Sequence, residues 1–173
     1  RRHVVNAPRI DLDAALLARA RAQSRQSRRS LVEELQGLCG LEPREIVGLL
    51  AVPFGLEVME TPEMFGQQPA FDLLPLAQAL ARHCVLLRDE AKRLTGVIAD
   101  PFDLDLQTWL QAQAGATAAA PLHLRLALQS DIQAYLGKHE ESARAVDTLV
   151  GDNGEGRRDG KSATVLSFAS VSE

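Results

Sequence analysis

Apolar residues recur every three or four positions in the first part of the chain, which is the spacing of one buried face of an α-helix. Polar or glycine-containing links separate three such stretches, and these predict helices over Asp13–Gln23, from Ser30 to the Gly37–Gly40 region, and from Pro43 to Val52. Ser30 and Glu33 have the spacing of a capping box, in which each side chain accepts a hydrogen bond from an unpaired amide of the first turn. Pro43 is favoured in a first helical turn. A group of helices is therefore predicted to lead the fold.

Beyond Pro53 the pattern changes to short apolar runs that alternate with amphipathic ones. The short runs predict strands at Leu56–Met59, Cys84–Leu87, Arg93–Ala99 and Leu122–Leu128, with Asp89–Lys92 as a charged hairpin between the second and the third. The amphipathic runs predict helices at Leu73–Arg82, Leu104–Ala114 and Ser130–Leu136, and Thr61-Pro62 predicts a turn. The predicted fold class is α+β: N-terminal helices, then a small sheet of three to four short strands with packed helices.

The C-terminal part of the sequence has a different composition. Gly137 is expected to end the last helix, because glycine readily adopts the left-handed conformation found at helix C-termini. From Lys138 to Lys161 the chain is polar and rich in glycine, which is typical of a flexible linker, and Ser162–Val171 could form a strand but has no partner in sequence. We therefore divide the chain into a basic helical segment (1–29), an α+β domain (30–137) and a flexible linker (138–173).

The order of these elements around one turn is distinctive. "RLTGVIADPFDLD" (Arg93–Asp105) leads from a strand through a compact turn to a helix, and "SDIQAYLG" (Ser130–Gly137) follows later. Together with Gly40–Met59 and Leu80–Asp105, this order resembles the N-terminal domain of the ATPases that drive type II secretion and type IV pilus assembly, the general secretion pathway protein E family.

The resemblance implies a non-catalytic domain with protein partners. In that family the domain docks the cytoplasmic domain of a bitopic inner-membrane platform protein and so recruits the motor. ATP and magnesium are then expected only on a C-terminal ATPase domain that this chain lacks, and no cofactor in the chain itself. No apolar run approaches the ~20 residues of a membrane span, so a cytoplasmic location, peripheral to the inner membrane through a protein partner, is expected.

Charge is unevenly distributed along the chain. The formal net charge is −4, yet residues 1–30 contain eight arginines and only two aspartates. These arginines are not interleaved with aromatic residues that stack on bases, and the segment has no Trp or Phe to enter a lipid interface, so nucleic acid is excluded and lipid is disfavoured. An acidic protein surface is the favoured partner, and a merely solvated helix face is the alternative. The candidate partner-binding residues are Arg19, Arg21, Arg25, Arg28 and Arg29.

A second hypothesis is a regulatory domain that binds cyclic di-GMP. Some ATPases of the family carry a repeated motif that begins with R-L-G and ends with a glutamine. Aligned to this motif, the chain has Ser30 in place of the arginine, Val32 and Cys39 in place of two glycines, and Pro53 in place of the glutamine. The apolar half of the motif is kept and the ligand-binding half is lost, which disfavours this ligand. The same module fused to a membrane glycosyltransferase is a further alternative.

Motifs for catalysis or metal binding are weak. "GRRDGKS" (Gly156–Ser162) has Glu155 where a phosphate-binding loop needs its first glycine. Cys39 and Cys84 lack zinc spacing, and the four histidines are scattered. Of Asp100, Asp103 and Asp105, which could suggest a metal site or a carboxylate pair, two are explained by turn and helix-capping roles. The sequence therefore predicts no catalytic, metal or cofactor-binding residue.

Overall fold

The computed structural model describes the backbone of residues 12–169 and the side chains of residues 12–151. The basic segment predicted over 1–29 is therefore seen from Leu12 onwards, and its first eleven residues lie outside the described part. Residues up to Tyr135 form one compact unit, and those from Leu136 form a second.

The described residues form seven α-helices, one 3₁₀ turn and five strands. The helices are α1 (Ala14–Ser27), α2 (Leu31–Cys39), α3 (Pro43–Ala51), α4 (Thr61–Phe65), α5 (Leu76–Arg82), α6 (Leu104–Gln113) and α7 (Gln129–Ala169), and the 3₁₀ turn is Val52–Phe54. The strands are β1 (Glu57–Val58), β2 (Gln68–Pro69), β3 (Val85–Arg88), β4 (Leu94–Ile98) and β5 (His123–Leu126). The predicted α+β class is confirmed, with one strand more than the three to four expected.

The sheet has the order β1-β5-β4-β3-β2 and is mixed. β3 and β4 form the predicted antiparallel hairpin, whereas β4 and β5 are parallel and are connected through α6. Gly96 of β4 allows the closest packing in the sheet, because a β-carbon there would lie 2.9 Å from side-chain atoms of Leu122 and Leu124 and 3.0 Å from Leu110 of α6. The absence of a side chain at this position thus lets α6 pack tightly on the sheet.

Local capping explains where the first helices begin and end. The Ser30–Glu33 capping box is present: the Glu33 amide donates to Ser30 Oγ at 3.2 Å, and the Ser30 amide donates to Glu33 Oε2 at 2.8 Å. Gly40, with φ +70°, ends α2 in the left-handed conformation. α1 continues to Ser27 rather than ending at Gln23 as predicted, because the Arg28 amide still donates to the Ser24 carbonyl.

Two short elements were not predicted. α4 lies where Thr61-Pro62 predicted only a turn, and β2 is a two-residue edge strand that contains Pro69. Arg125 of β5 holds α4 against the sheet: its guanidinium donates to Glu63 Oε2 and to the Val58 carbonyl, both at 2.7 Å. The hydrogen bond from Arg125 also lowers the pKa of Glu63. Contacts distant in sequence therefore stabilise these elements.

The last helix differs most from the prediction. α7 does not end at Gly137 but continues to Ala169, so the segment expected as a flexible linker is helical, and the described part of Ser162–Val171 is helix rather than strand. Gly137 has no positive φ, so it does not make the left-handed stop that was expected of it. Helix propagation adds one hydrogen bond for each residue that is fixed, and Arg144 supports it through a 2.6 Å ion pair with Glu140.

Candidate docking surface around the first helix

The structure places the five candidate arginines in three different settings. Arg21 and Arg25 are one turn apart on α1 and line the same polar groove, whereas Arg19 lies on another flank of the helix, because residues two apart do not share a face. Arg28 is the left-handed C-cap of α1, and Arg29 follows it. All except the half-buried Arg21 are exposed. The basic segment is thus a charged helix rather than one compact cluster.

The polar groove has a volume of about 400 Å³ and combines both signs of charge. On one side it is lined by Arg21, Ser24 and Arg25 of α1, and on the other by the loop Asp100–Asp105. The Arg21 guanidinium carbon lies 4.3 Å from the centre of the Phe102 ring, which is the geometry of a cation–π contact. Arg21 therefore packs within the domain, and Arg25 is left at the edge of the groove.

The aspartates of this loop have the structural roles expected of them. Asp100 Oδ1 accepts a hydrogen bond from the Phe102 amide at 2.8 Å, and Asp103 Oδ1 caps α6 by accepting from the Leu106 amide at 2.9 Å. Burial raises the pKa of Asp100 above its usual value, although the Phe102 amide and the charges of Arg21 and Arg25 act in the opposite direction. Across the described residues, no group of three or more histidine, cysteine or acidic side chains could hold a metal ion.

Phe102 also lines a second, apolar groove of about 420 Å³. Its lining residues come from α1 and the residue before its N-cap, the end of α3, the 3₁₀ turn and the loop before α6: Leu12, Leu17, Leu49, Leu50, Val52, Pro53, Phe54 and Phe102. Val52 is 76% exposed and Phe54 is 40% exposed, and the Phe54 and Phe102 rings meet edge to face at 5.0 Å. Apolar side chains are thus open to solvent beside the arginine-bearing helix.

Sequence reasoning missed this groove. Each of its phenylalanines follows a proline in a short turn, "VPF" and "DPF", and that pairing of a turn with a large apolar residue is the available signal. The two turns are far apart along the chain, however, and only the folded domain brings their rings together.

The residues aligned with the cyclic di-GMP motif have structural roles in this domain. The Ser30 hydroxyl caps α2, Val32 is buried, and the Cys39 thiol donates to the Leu35 carbonyl at 2.9 Å. Ser30 and Val32 line a smaller groove of about 210 Å³ together with Glu33 and the start of α7. The groove thus has Ser30 at the position of the motif's arginine, and the carboxylate of Glu33 lines it as well.

Among the described residues, no helix is both long enough and apolar enough to cross a bilayer.

A comparison with known protein families shows to which family the chain belongs. The model of the MshEN domain matches residues 54–146, more than half of the chain. The chain belongs to the MshEN domain family. The resemblance to the N-terminal domains of type II secretion and type IV pilus ATPases is thereby confirmed.

A solved structure agrees with the fold of this MshEN domain. A structure of MshE with cdg aligns with a TM-score of 0.54 at 20% identity, over 74% of this chain and 90% of the other. The N-terminal domain of XpsE aligns with a TM-score of 0.48 at 24% identity, over 73% of this chain and 85% of the other. No curated protein matches the chain.

The bounds of the MshEN match divide the candidate surface. The match begins at Phe54, so helices α1 to α3 precede it, while the loop Asp100–Asp105 lies inside it. Both grooves therefore have one wall from the matched region and one wall from the helices before it.

Proposed function

We propose that this MshEN domain is a non-catalytic docking and regulatory module of a secretion ATPase, and that α1 docks the cytoplasmic domain of an inner-membrane platform protein. The observation that supports this most directly is the position of exposed arginines on α1 beside an open apolar groove. Opposite charge speeds and orients encounter, whereas apolar anchors supply most of the affinity. A surface with both properties is suited to binding a protein.

In this proposal the rest of the motor lies elsewhere in a longer protein. ATP and magnesium would bind the C-terminal ATPase domain, to which residues 138–173 lead. The domain would be cytoplasmic and would reach the inner membrane only through its protein partner.

Reversing three of the exposed charges tests the docking proposal. We expect the combined changes Arg19→Glu, Arg28→Glu and Arg29→Glu to weaken binding to the platform protein's cytoplasmic domain by about tenfold or more, or ~1.4 kcal/mol. The affinity should also depend less on salt concentration, because the electrostatic attraction that is lost is one that salt screens. Isothermal titration calorimetry at two ionic strengths measures both effects.

A control variant with the same change in net charge makes the result specific. Lys92→Glu, Lys138→Glu and Arg144→Glu reverse three exposed cations outside α1 and should leave the affinity unchanged. Arg144 loses only a surface ion pair, which contributes little to stability. Equal losses in the two variants would show a general charge effect and would contradict docking through α1.

Cyclic di-GMP is the second candidate, because the solved MshE structure of the same fold holds cdg. The structural roles of Ser30 and Val32, and the carboxylate of Glu33 beside them, argue against it in this chain. We therefore expect no heat of binding when the purified chain is titrated with cyclic di-GMP. Saturable binding that is lost in a variant at Ser30 would instead support a nucleotide sensor.

A further inference from the structure

We infer that the apolar groove beside α1 binds an amphipathic helix of a partner protein, and that this helix carries acidic residues at one end. The inference rests on the proposed docking function and specifies which part of the surface holds the partner and what chemistry the partner has.

The shape of the groove suits a helix. One wall is formed by Leu12, just before α1, and by Leu17 of α1, and the other by the end of α3 with the 3₁₀ turn, where Val52 is 76% exposed. Leu50, only 1% exposed, belongs to the domain core beneath. A groove between two helices accepts a third whose apolar residues recur at i, i+3, i+4 and i+7. The exposed Val52 and Phe54 would be covered by such a helix.

The positive charges on α1 favour a partner helix with negative charges. Arg21 and Arg25 follow Leu17 by four and eight residues, so they continue the flank of α1 on which Leu17 lies, and Arg28 follows at the left-handed C-cap, eleven residues after Leu17. At 1.5 Å per residue they lie about 6 to 16 Å beyond Leu17 along the axis. The helix from Ala14 to Ser27 contains no acidic residue. A partner helix that places its apolar residues against Leu17 would therefore meet positive charge one to three turns further on.

The loop on the far wall restricts where those acidic residues lie. Asp100, Asp103 and Asp105 line the polar groove opposite Arg21 and Arg25, so a carboxylate inside that groove would be repelled. Arg25 and Arg28 are both exposed and can be reached from the outer side of α1. The acidic residues of the partner are therefore assigned to this outer side, and a basic helix is disfavoured by the arginines themselves.

Synthetic peptides test the inference without requiring the natural partner. Two helical peptides of about five turns carry identical leucines at i, i+4, i+7 and i+11; one has glutamates and the other lysines near one end. A third has the residues of the glutamate peptide in scrambled order. Fluorescence anisotropy with the full chain measures the affinity of each. We expect the glutamate peptide to bind at least about tenfold more tightly than the other two.

Two substitutions and one control locate the binding. Val52→Asp should lower the affinity for the glutamate peptide by about tenfold. Val150→Asp, at a 66% exposed valine of α7, should leave that affinity unchanged. Arg25→Glu combined with Arg28→Glu should remove the preference for the glutamate peptide over the lysine peptide. Circular dichroism of each variant checks that it is folded.

Several results would overturn the inference. These are equal binding of all three peptides, unchanged binding to Val52→Asp, a dimer in sedimentation that Val52→Asp dissociates, or binding to anionic vesicles instead of peptides. Failure of this inference can be distinguished from failure of the docking proposal. If the platform domain does not bind but the glutamate peptide binds through Val52, the helix-binding groove is supported and the proposal of a platform protein as the partner is contradicted.

Discussion

Gly96→Val is expected to lower the free energy of unfolding by about 3 kcal/mol, since overpacking a core usually costs 1–3 kcal/mol and the fit here is very close. A β-carbon at this position would already lie within 3.0 Å of three leucine side chains, and valine adds two further methyl groups. Leu110 and the two leucines around β5 would have to leave their rotamers or push α6 away from the sheet. Urea denaturation followed by circular dichroism measures the change as a shift of the midpoint.

A second glycine provides the control. Gly37 lies inside α2 with nothing within 4 Å of a β-carbon, so Gly37→Ala should stabilise the domain by about 0.5–1 kcal/mol through helix propensity. Combining Gly96→Val with Leu110→Ala should cost less than the sum of the two, because the smaller residue makes room for the larger one. A neutral Gly96→Val, or strict additivity with Leu110→Ala, would contradict the packing described.

Tyr135→Ala is expected to lower the free energy of unfolding by about 4 kcal/mol, the range found when a buried aromatic residue is truncated. Its side chain is fully buried, its ring centre lies 5.1 Å from that of Phe65, and its hydroxyl donates to the Gln67 carbonyl at 3.2 Å. Truncation would leave a cavity between α4 and the start of α7. Thermal and urea unfolding both report this loss.

Tyr135→Phe separates the ring from the hydroxyl. It removes one hydrogen bond and should cost only about 1 kcal/mol. Burial raises the pKa of Tyr135 from its usual value of 10.0 to about 12. The neutral phenol therefore adds stability that is complete below pH 10 and is lost as the pH rises towards 12.

The chain has a single tyrosine, so its titration can be followed directly by tyrosinate absorbance. A midpoint near pH 10 in the folded chain would be inconsistent with this burial. In Tyr135→Phe the alkaline loss attributable to this group should disappear.

Features that depend on local chemistry could be predicted from the sequence. The Ser30–Glu33 capping box and the apolar periodicity gave the positions of α2 and α3, and short apolar runs gave four of the five strands to within a few residues. β2 was not predicted because a strand of two residues is too short to show a periodic pattern. Its pairing with β3 exists only in the folded sheet. The end of α7 was wrong because glycine permits a left-handed stop but does not require one: Gly40 adopts it and Gly137 does not.

The candidate surface was predictable only in part. The arginines of α1 could be counted in the sequence, but their separate settings depend on Phe102 and Asp100, which lie about eighty residues further along the chain. The apolar groove needs Phe54 and Phe102 side by side, and no pattern in either turn indicates the other. Until folding brings the two turns together, the exposed Phe54 and the half-buried Phe102 cannot be distinguished in the sequence from ordinary core residues.

The Phe102 ring lines both grooves: it meets Phe54 edge to face, and the Arg21 guanidinium carbon lies 4.3 Å from its centre. A molecule that tilts this ring while entering one groove would also change the shape of the other, and binding at the two sites would then be coupled. Linkage requires the effect to be mutual: whatever an occupant of the apolar groove does to the affinity of the polar groove, an occupant of the polar groove does in return, by the same factor. One aromatic side chain would thus make a small domain responsive to two signals at once.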